Sequence, residues 1–167
     1  MKTKFNFNSQ ICTTREQSER LLALGLKKET SDCYYWQETE PMHGEAVGIW
    51  HLETLDSKDN QEHFKYLDKN FGVCLADDEE HYFIPAWSLG RIIEMMPLDA
   101  FPEGGFDNSF TLAKSYPRGY NVEYDGFSFY HKENIYDTLI EAIEHLIKEG
   151  YFNKEYLVWK GKAKFRK

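Results

Sequence analysis

The sequence predicts an α+β domain, a mixed or mainly antiparallel sheet of about five to seven strands with about three helices packed mostly on one face. Two observations carry this reading. Strand-like aromatic and β-branched runs come in pairs between isolated helical stripes, without the regular strand–helix alternation of a doubly wound fold. The 167 residues, with 12 Phe, 11 Tyr and 4 Trp, suffice to bury one core and lack internal repeats.

In chain order, Thr13 and Thr14 stand three residues before Glu16 and Gln17, two overlapping capping boxes ahead of Leu21, Leu22 and Leu24. They predict a helix over 14–24, stopped by Gly25. Cys33-Tyr34-Tyr35-Trp36 and Ala46–Leu52 have strand composition, whereas 56–70 reads as helix or loop, since Phe64 and Leu67 stand in a polar stretch. Further strands are predicted over 72–76 and 81–84, around the acidic turn Asp77-Asp78-Glu79-Glu80. Pro85 is read as ending the second of these and opening a helix over 86–96, with Leu89, Ile92, Ile93 and Met96 at helical spacing.

A Pro/Gly-dense connection at 97–107 leads to the clearest elements. Asp125-Gly126 between Tyr120–Tyr124 and Phe127–His131 predicts a two-residue hairpin in which Tyr124 faces Phe127, Val122 faces Phe129 and Tyr120 faces His131. Ile135, Leu139, Ile140, Ile143, Leu146 and Ile147 then trace an apolar stripe, predicting a helix over 135–149 closed by Gly150.

Charge is unevenly distributed over a chain of net −8. Residues 38–80 hold twelve acids against three lysines, a net of −9, while 154–167 carry a net of +5. An acidic body argues against a nucleic-acid binder, which needs a basic face to displace counterions. The basic tail at 160–167 reads as solvated. No apolar run reaches the roughly 18 residues of a membrane span, and the first residues lack a signal-peptide core, so a cytoplasmic location is expected. Cys12, Cys33 and Cys74 are odd in number and widely spaced, which predicts reduced thiols and no zinc knuckle.

The run Cys12-Thr13-Thr14-Arg15-Glu16-Gln17-Ser18 into Leu21–Leu26, the run Ile84-Pro85-Ala86-Trp87-Ser88-Leu89-Gly90-Arg91, and Tyr136-Asp137-Thr138-Leu139-Ile140-Glu141 together resemble a group of uncharacterised small proteins from gut-bacterial genomes, often in prophage-like or mobile regions. The resemblance implies a genomic neighbourhood of that kind and an intracellular life. It brings no activity, cofactor or catalytic residue.

No site motif is present. The six histidines form neither H-E-x-x-H nor a Cys/His pair at zinc spacing, and Asp77–Glu80 lack the alternating spacing that lets carboxylates converge on calcium. Glu141 and His145, four apart, read as part of a salt-bridged helix face that includes Glu144 and Lys148. Nucleophile elbows, P-loops and dinucleotide fingerprints are missing. Two function classes follow. The first is a non-catalytic acidic protein that binds another protein, without metal or cofactor, with Asp77, Asp78, Glu79, Glu80, Trp87 and Arg91 as candidate interaction residues. The second is a small enzyme or ligand-binding module with a site assembled in space near 77–91, from Trp87, Arg91, His81 and the acidic turn.

Overall fold

Four α-helices and six β-strands occur among residues 10–39, 46–70, 83–97, 110–115, 119–124, 127–131 and 134–158, which the computed structural model describes. The helices are α1 (Arg15–Ala23), α2 (Lys58–Asn70), α3 (Leu89–Met95) and α4 (Ile135–Glu149). The strands are β1 (Cys33–Thr39), β2 (Ala46–Thr54), β3 (Phe83–Ala86), β4 (Thr111–Ser115), β5 (Gly119–Tyr124) and β6 (Phe127–His131). The class is α+β, as expected. Among the described residues no helix is long and apolar enough to cross a membrane.

The single large sheet is a misreading. Among the described residues the strands form two antiparallel sheets of three, ordered β2-β1-β3 and β4-β5-β6, and there are four helices, close to the expected number of about three. Local patterns mark strands but do not choose their partners, and each sheet is covered separately. Helix α4 packs on β5 and β6, α2 lies against Tyr34 and Phe83 of the first sheet, and α1 touches both β3 and α4.

Helix α4 is built as its stripe predicts. Leu139, Ile140, Ile143 and Leu146 are fully buried in a core shared with Leu21, Trp87, Ile92 and Val122. Asn134 caps the start through Tyr136 N–H, and Gly150 closes the end at φ 82°, a left-handed conformation open to glycine at little cost. The β5–β6 register is the predicted one, with Val122 opposite Phe129 and Tyr124 opposite Phe127. Val122 and Tyr124 are buried while Glu123 and Ser128 are exposed.

Of the two capping boxes, Thr14–Gln17 is the one used. Gln17 N–H donates to Thr14 Oγ1 at 3.2 Å, and Thr14 N–H donates to Gln17 Oε1 at 2.9 Å. Thr13 turns inward instead, donating its N–H to the Trp87 carbonyl at 2.9 Å and accepting the Trp87 N–H on Oγ1 at 3.1 Å. Those bonds hold the chain extended through Trp87. Pro85 accordingly lies inside edge strand β3, where a missing donor is tolerated, and α3 starts only after the Ser88 cap, so the predicted helix start at 86 is corrected. The undecided segment 56–70 is helical over Lys58–Asn70, with Ser57 Oγ accepting from Asn60 N–H at 3.1 Å. The predicted strand 72–76, the acidic turn, the Asp125-Gly126 turn and the basic tail lie outside the described residues.

Candidate functional site

Antiparallel pairing of β1 with β3 sets Cys33 opposite Ala86, so Asp32, one residue earlier, meets the turn into α3. Its carboxylate accepts two hydrogen bonds from Ser88, from N–H at 2.8 Å and from Oγ–H at 2.5 Å. Ser88 Oγ in turn accepts the Arg91 N–H at 3.1 Å. On the other side, Leu55 N–H donates to the Asp32 carbonyl at 2.8 Å, which brings Asp56 to the same place.

Between these segments lies a cleft of about 400 Å³. Among the described residues, Ser31, Asp32, Thr54, Asp56, Ser88 and Arg91 supply its polar lining, Ile11 and Leu55 its apolar one. Cys33 also faces it and is joined to Cys12 by a disulfide, both cysteines being 1% exposed. The expectation of reduced thiols is therefore corrected for this pair. Sequence spacing held no hint of it, because the two cysteines are brought together by separate pairings, Cys12 bridging Ser88 and Cys33 pairing with Ala86.

Arg91 is unevenly satisfied. Its Nη1 lies 3.1 Å from a Glu94 carboxylate oxygen, while its Nε is buried with no hydrogen-bond partner. A buried donor left unpaired costs about 1–3 kcal/mol, more when charged. Ser88, by contrast, is engaged as the α3 cap, and among the described residues no histidine lines the cleft. The Asp32 carboxylate thus holds the Ser88 hydroxyl and the Ser88 backbone N–H together.

The predicted site residues fare differently. Arg91 lines the cleft. Trp87 is 0% exposed and donates Nε1–H to Thr30 Oγ1 at 3.0 Å, so it is a core side chain and not a recognition ring. Asp77, Asp78, Glu79, Glu80 and His81 lie outside the described residues. Sequence reading missed Asp32, Asp56 and the Cys12–Cys33 pair. A polar Ser31-Asp32 step just before an aromatic strand was the only trace of the first.

A second cluster sits between β1, β2 and α2. The Trp36 indole stacks on His51 at 4.5 Å and meets His63 edge-on at 5.0 Å, while Tyr34 Oη and His63 Nδ1 share a 3.0 Å hydrogen bond. Burial pushes the Tyr34 hydroxyl up to about 12, with the Glu53 carboxylate adding to it. Burial also lowers the His63 pKa, against the opposing pull of Glu53. Both groups are thus held neutral. Among the described residues no three His, Cys, Asp or Glu side chains converge as metal ligands. On α4, Glu144 reaches across to Arg20 at 2.5 Å, and the His145 ring lies 5.3 Å from Phe129, which places Glu144 in an interhelical contact beyond its own helix face. No protein-family model, curated protein or solved structure matches the chain.

Proposed function

We propose that the chain is a non-catalytic binding module whose site is the cleft between Asp32, Asp56 and Arg91. The observation that carries this reading is the cleft of about 400 Å³, which gathers Arg91 with the carboxylates Asp32 and Asp56 from three separate segments of the chain. Ser88, committed to capping α3, supports binding over hydrolysis. The net charge of −8 supports a partner other than nucleic acid. Screening small polar fragments by amide NMR tests the site. Hits should move the signals of Asp32, Leu55, Asp56 and Arg91, and a Thr54→Trp variant, which fills the cleft, should silence them. Hits that map elsewhere, or that survive the filled cleft, would refute the assignment.

A second reading, recognition of another protein, is favoured by Ile11, Ile49 and Leu52, which are 68%, 54% and 36% exposed. In that reading the chain serves as an accessory factor of a prophage or mobile element, and substituting Ile49 and Leu52 by Thr should release the partner from affinity-purified complexes. The location that accompanies either reading is the cytoplasm. Against it weighs the Cys12–Cys33 crosslink, since disulfides persist in oxidising compartments and are rare in the cytosol. Acid quenching of cells followed by alkylation of the denatured chain decides, because both cysteines are buried in the fold: labelled Cys12 and Cys33 keep the chain in the cytoplasm, and a pair labelled only after reduction places it outside.

A further inference from the structure

Resting on the reading of this cleft as a binding site, we infer that it anchors an extended segment of a partner protein, one with a lysine or arginine two positions from a large apolar residue. The inference comes from what the first sheet leaves uncovered. In the register of β1 with β2, Cys33, Tyr35, Leu52 and Thr54 lie on one face, and Tyr34, Trp36, His51 and Glu53 on the other. Helix α2 packs on the second face, through Phe64 and Leu67 against Tyr34. On the first, α1 touches β3, where Ile84 and Ala86 are buried. At the β2 side of that face Leu52 remains 36% exposed.

The cleft lies at the end of this face. Cys33 and Thr54, which line it, stand opposite one another, and Leu52 follows Thr54 on the same side of β2, about 7 Å along the strand. Ile11, 68% exposed, belongs to the same lining. Acidic cleft and apolar surface are therefore continuous. An extended ligand repeats the interval, since its residues i and i+2 also stand about 7 Å apart on one side.

Charge selects the anchor. The Asp32 carboxylate, held by its two bonds from Ser88, keeps acceptor capacity, and Asp56 is exposed. Arg91 does not cancel them, because Glu94 lies 3.1 Å from its Nη1, so three carboxylates stand against one guanidinium. A lysine or arginine brings several donors to Asp32 and Asp56 while its methylene stem lies on Ile11 and Leu55. A carboxylate side chain meets like charge there, and an apolar one strips water from the carboxylates without replacing it. At the far end of the face the Arg15 guanidinium lies 4.7 Å from the Trp50 ring, a like charge that directs the basic residue of the segment to the cleft. The net charge of −8 adds attraction at longer range. A volume of about 400 Å³ is near the lower end of ligand pockets, which run from about 300 to 1,000 Å³, and suits one long side chain better than a folded element.

The probes are two blocked pentapeptides, acetyl-Thr-Lys-Thr-Leu-Thr-amide and the reversed acetyl-Thr-Leu-Thr-Lys-Thr-amide, each also made with norleucine in place of lysine. Binding to the full chain is followed by amide NMR. At least one lysine peptide should shift the signals of Asp56, Arg91 and Leu52. Its norleucine version should bind about tenfold more weakly or worse, because it abandons a charge-assisted contact. Asp56→Asn should shrink the difference between the two, and Asp56 is exposed, so that variant leaves the Ser88 cap alone. Leu52→Thr should weaken both versions by the same factor, whereas Ile49→Thr, on the opposite face, should change neither. Equal binding of lysine and norleucine peptides, binding indifferent to Leu52→Thr, or no peptide binding while polar fragments still occupy the cleft would overturn the peptide anchor and leave the site standing. A cleft silent to both fragments and peptides would overturn the two together.

Discussion

Opening the Cys12–Cys33 crosslink should cost about 3 kcal/mol of stability. The two cysteines are 21 residues apart in sequence, and the chain-entropy relation for a closed loop of that size gives about 3 kcal/mol at room temperature. The native side of the balance should change little, because the segment around Cys12 is held by other bonds. Tyr136 Oη–H donates to the Ile11 carbonyl at 2.6 Å, Tyr35 Oη–H to the Thr13 carbonyl at 3.0 Å, and Thr13 and Trp87 exchange backbone and side-chain hydrogen bonds. The loss therefore falls on the unfolded chain, which gains freedom once the loop opens. For a chain of this length about 3 kcal/mol corresponds to a fall in Tm of roughly 6–12 °C. Urea unfolding with and without a thiol reductant measures it, in a Cys74→Ala background that removes the third thiol as a source of exchange. A Cys12→Ala/Cys33→Ala variant should match the reduced protein and not respond to reductant. An unchanged midpoint on reduction, with the crosslink verified by mass before and after, would refute the reasoning.

Three further perturbations probe other parts of the structure. Because burial holds the His63 pKa below the ordinary 6.5, its neutral form stabilises the fold above that pH, and the contribution should fade as pH drops from about 6.5 through the lowered value; denaturation midpoints for the wild type and His63→Gln should converge in acid, and parallel curves would exclude His63 as the cause. Gly150→Ala should destabilise by about 1 kcal/mol, since φ is 82° although a Cβ would meet nothing within 4 Å, so an unchanged midpoint would mean that the left-handed cap is not used. Ile143→Ala, which empties a fully buried position on α4, should cost about 3 kcal/mol in the same assay, and a loss below about 1 kcal/mol would show that this core relaxes around the deletion.

What was legible in the sequence is what is decided within a short stretch of chain. Helix α4 carries its cap, stripe and glycine stop inside Asn134–Gly150, and the β5–β6 register follows from alternation on either side of one turn. Elements with weak local signals were settled by distant contacts instead. Strand β4 has Leu112 as its only large apolar residue and is defined by pairing with Val122 across to β5, while α2 is fixed by seating Phe64 and Leu67 against Tyr34 and Phe83.

The cleft belongs wholly to this second kind. Ile11, Asp32, Asp56, Ser88 and Arg91 share no spacing rule, and they meet because Cys33 lies opposite Ala86. A strand's side chains alternate between faces, so slipping that pairing by one residue would turn Cys33 to the opposite face, the one where Tyr34 now packs on α2, and would carry Asp32 away from Ser88. The crosslink and the site would be lost in the same step, while the α4 core, paired through β5 and β6, would not be asked to move. Formation of the Cys12–Cys33 bond is thus a chemical reading of the β1–β3 register. It follows that a substitution such as Pro85→Gly, which frees the edge strand to shift, should lower the fraction of crosslinked protein and weaken cleft binding in proportion, with the α4 amides unchanged. Loss of binding with the crosslink fully formed would separate the two and show that register alone does not build the site.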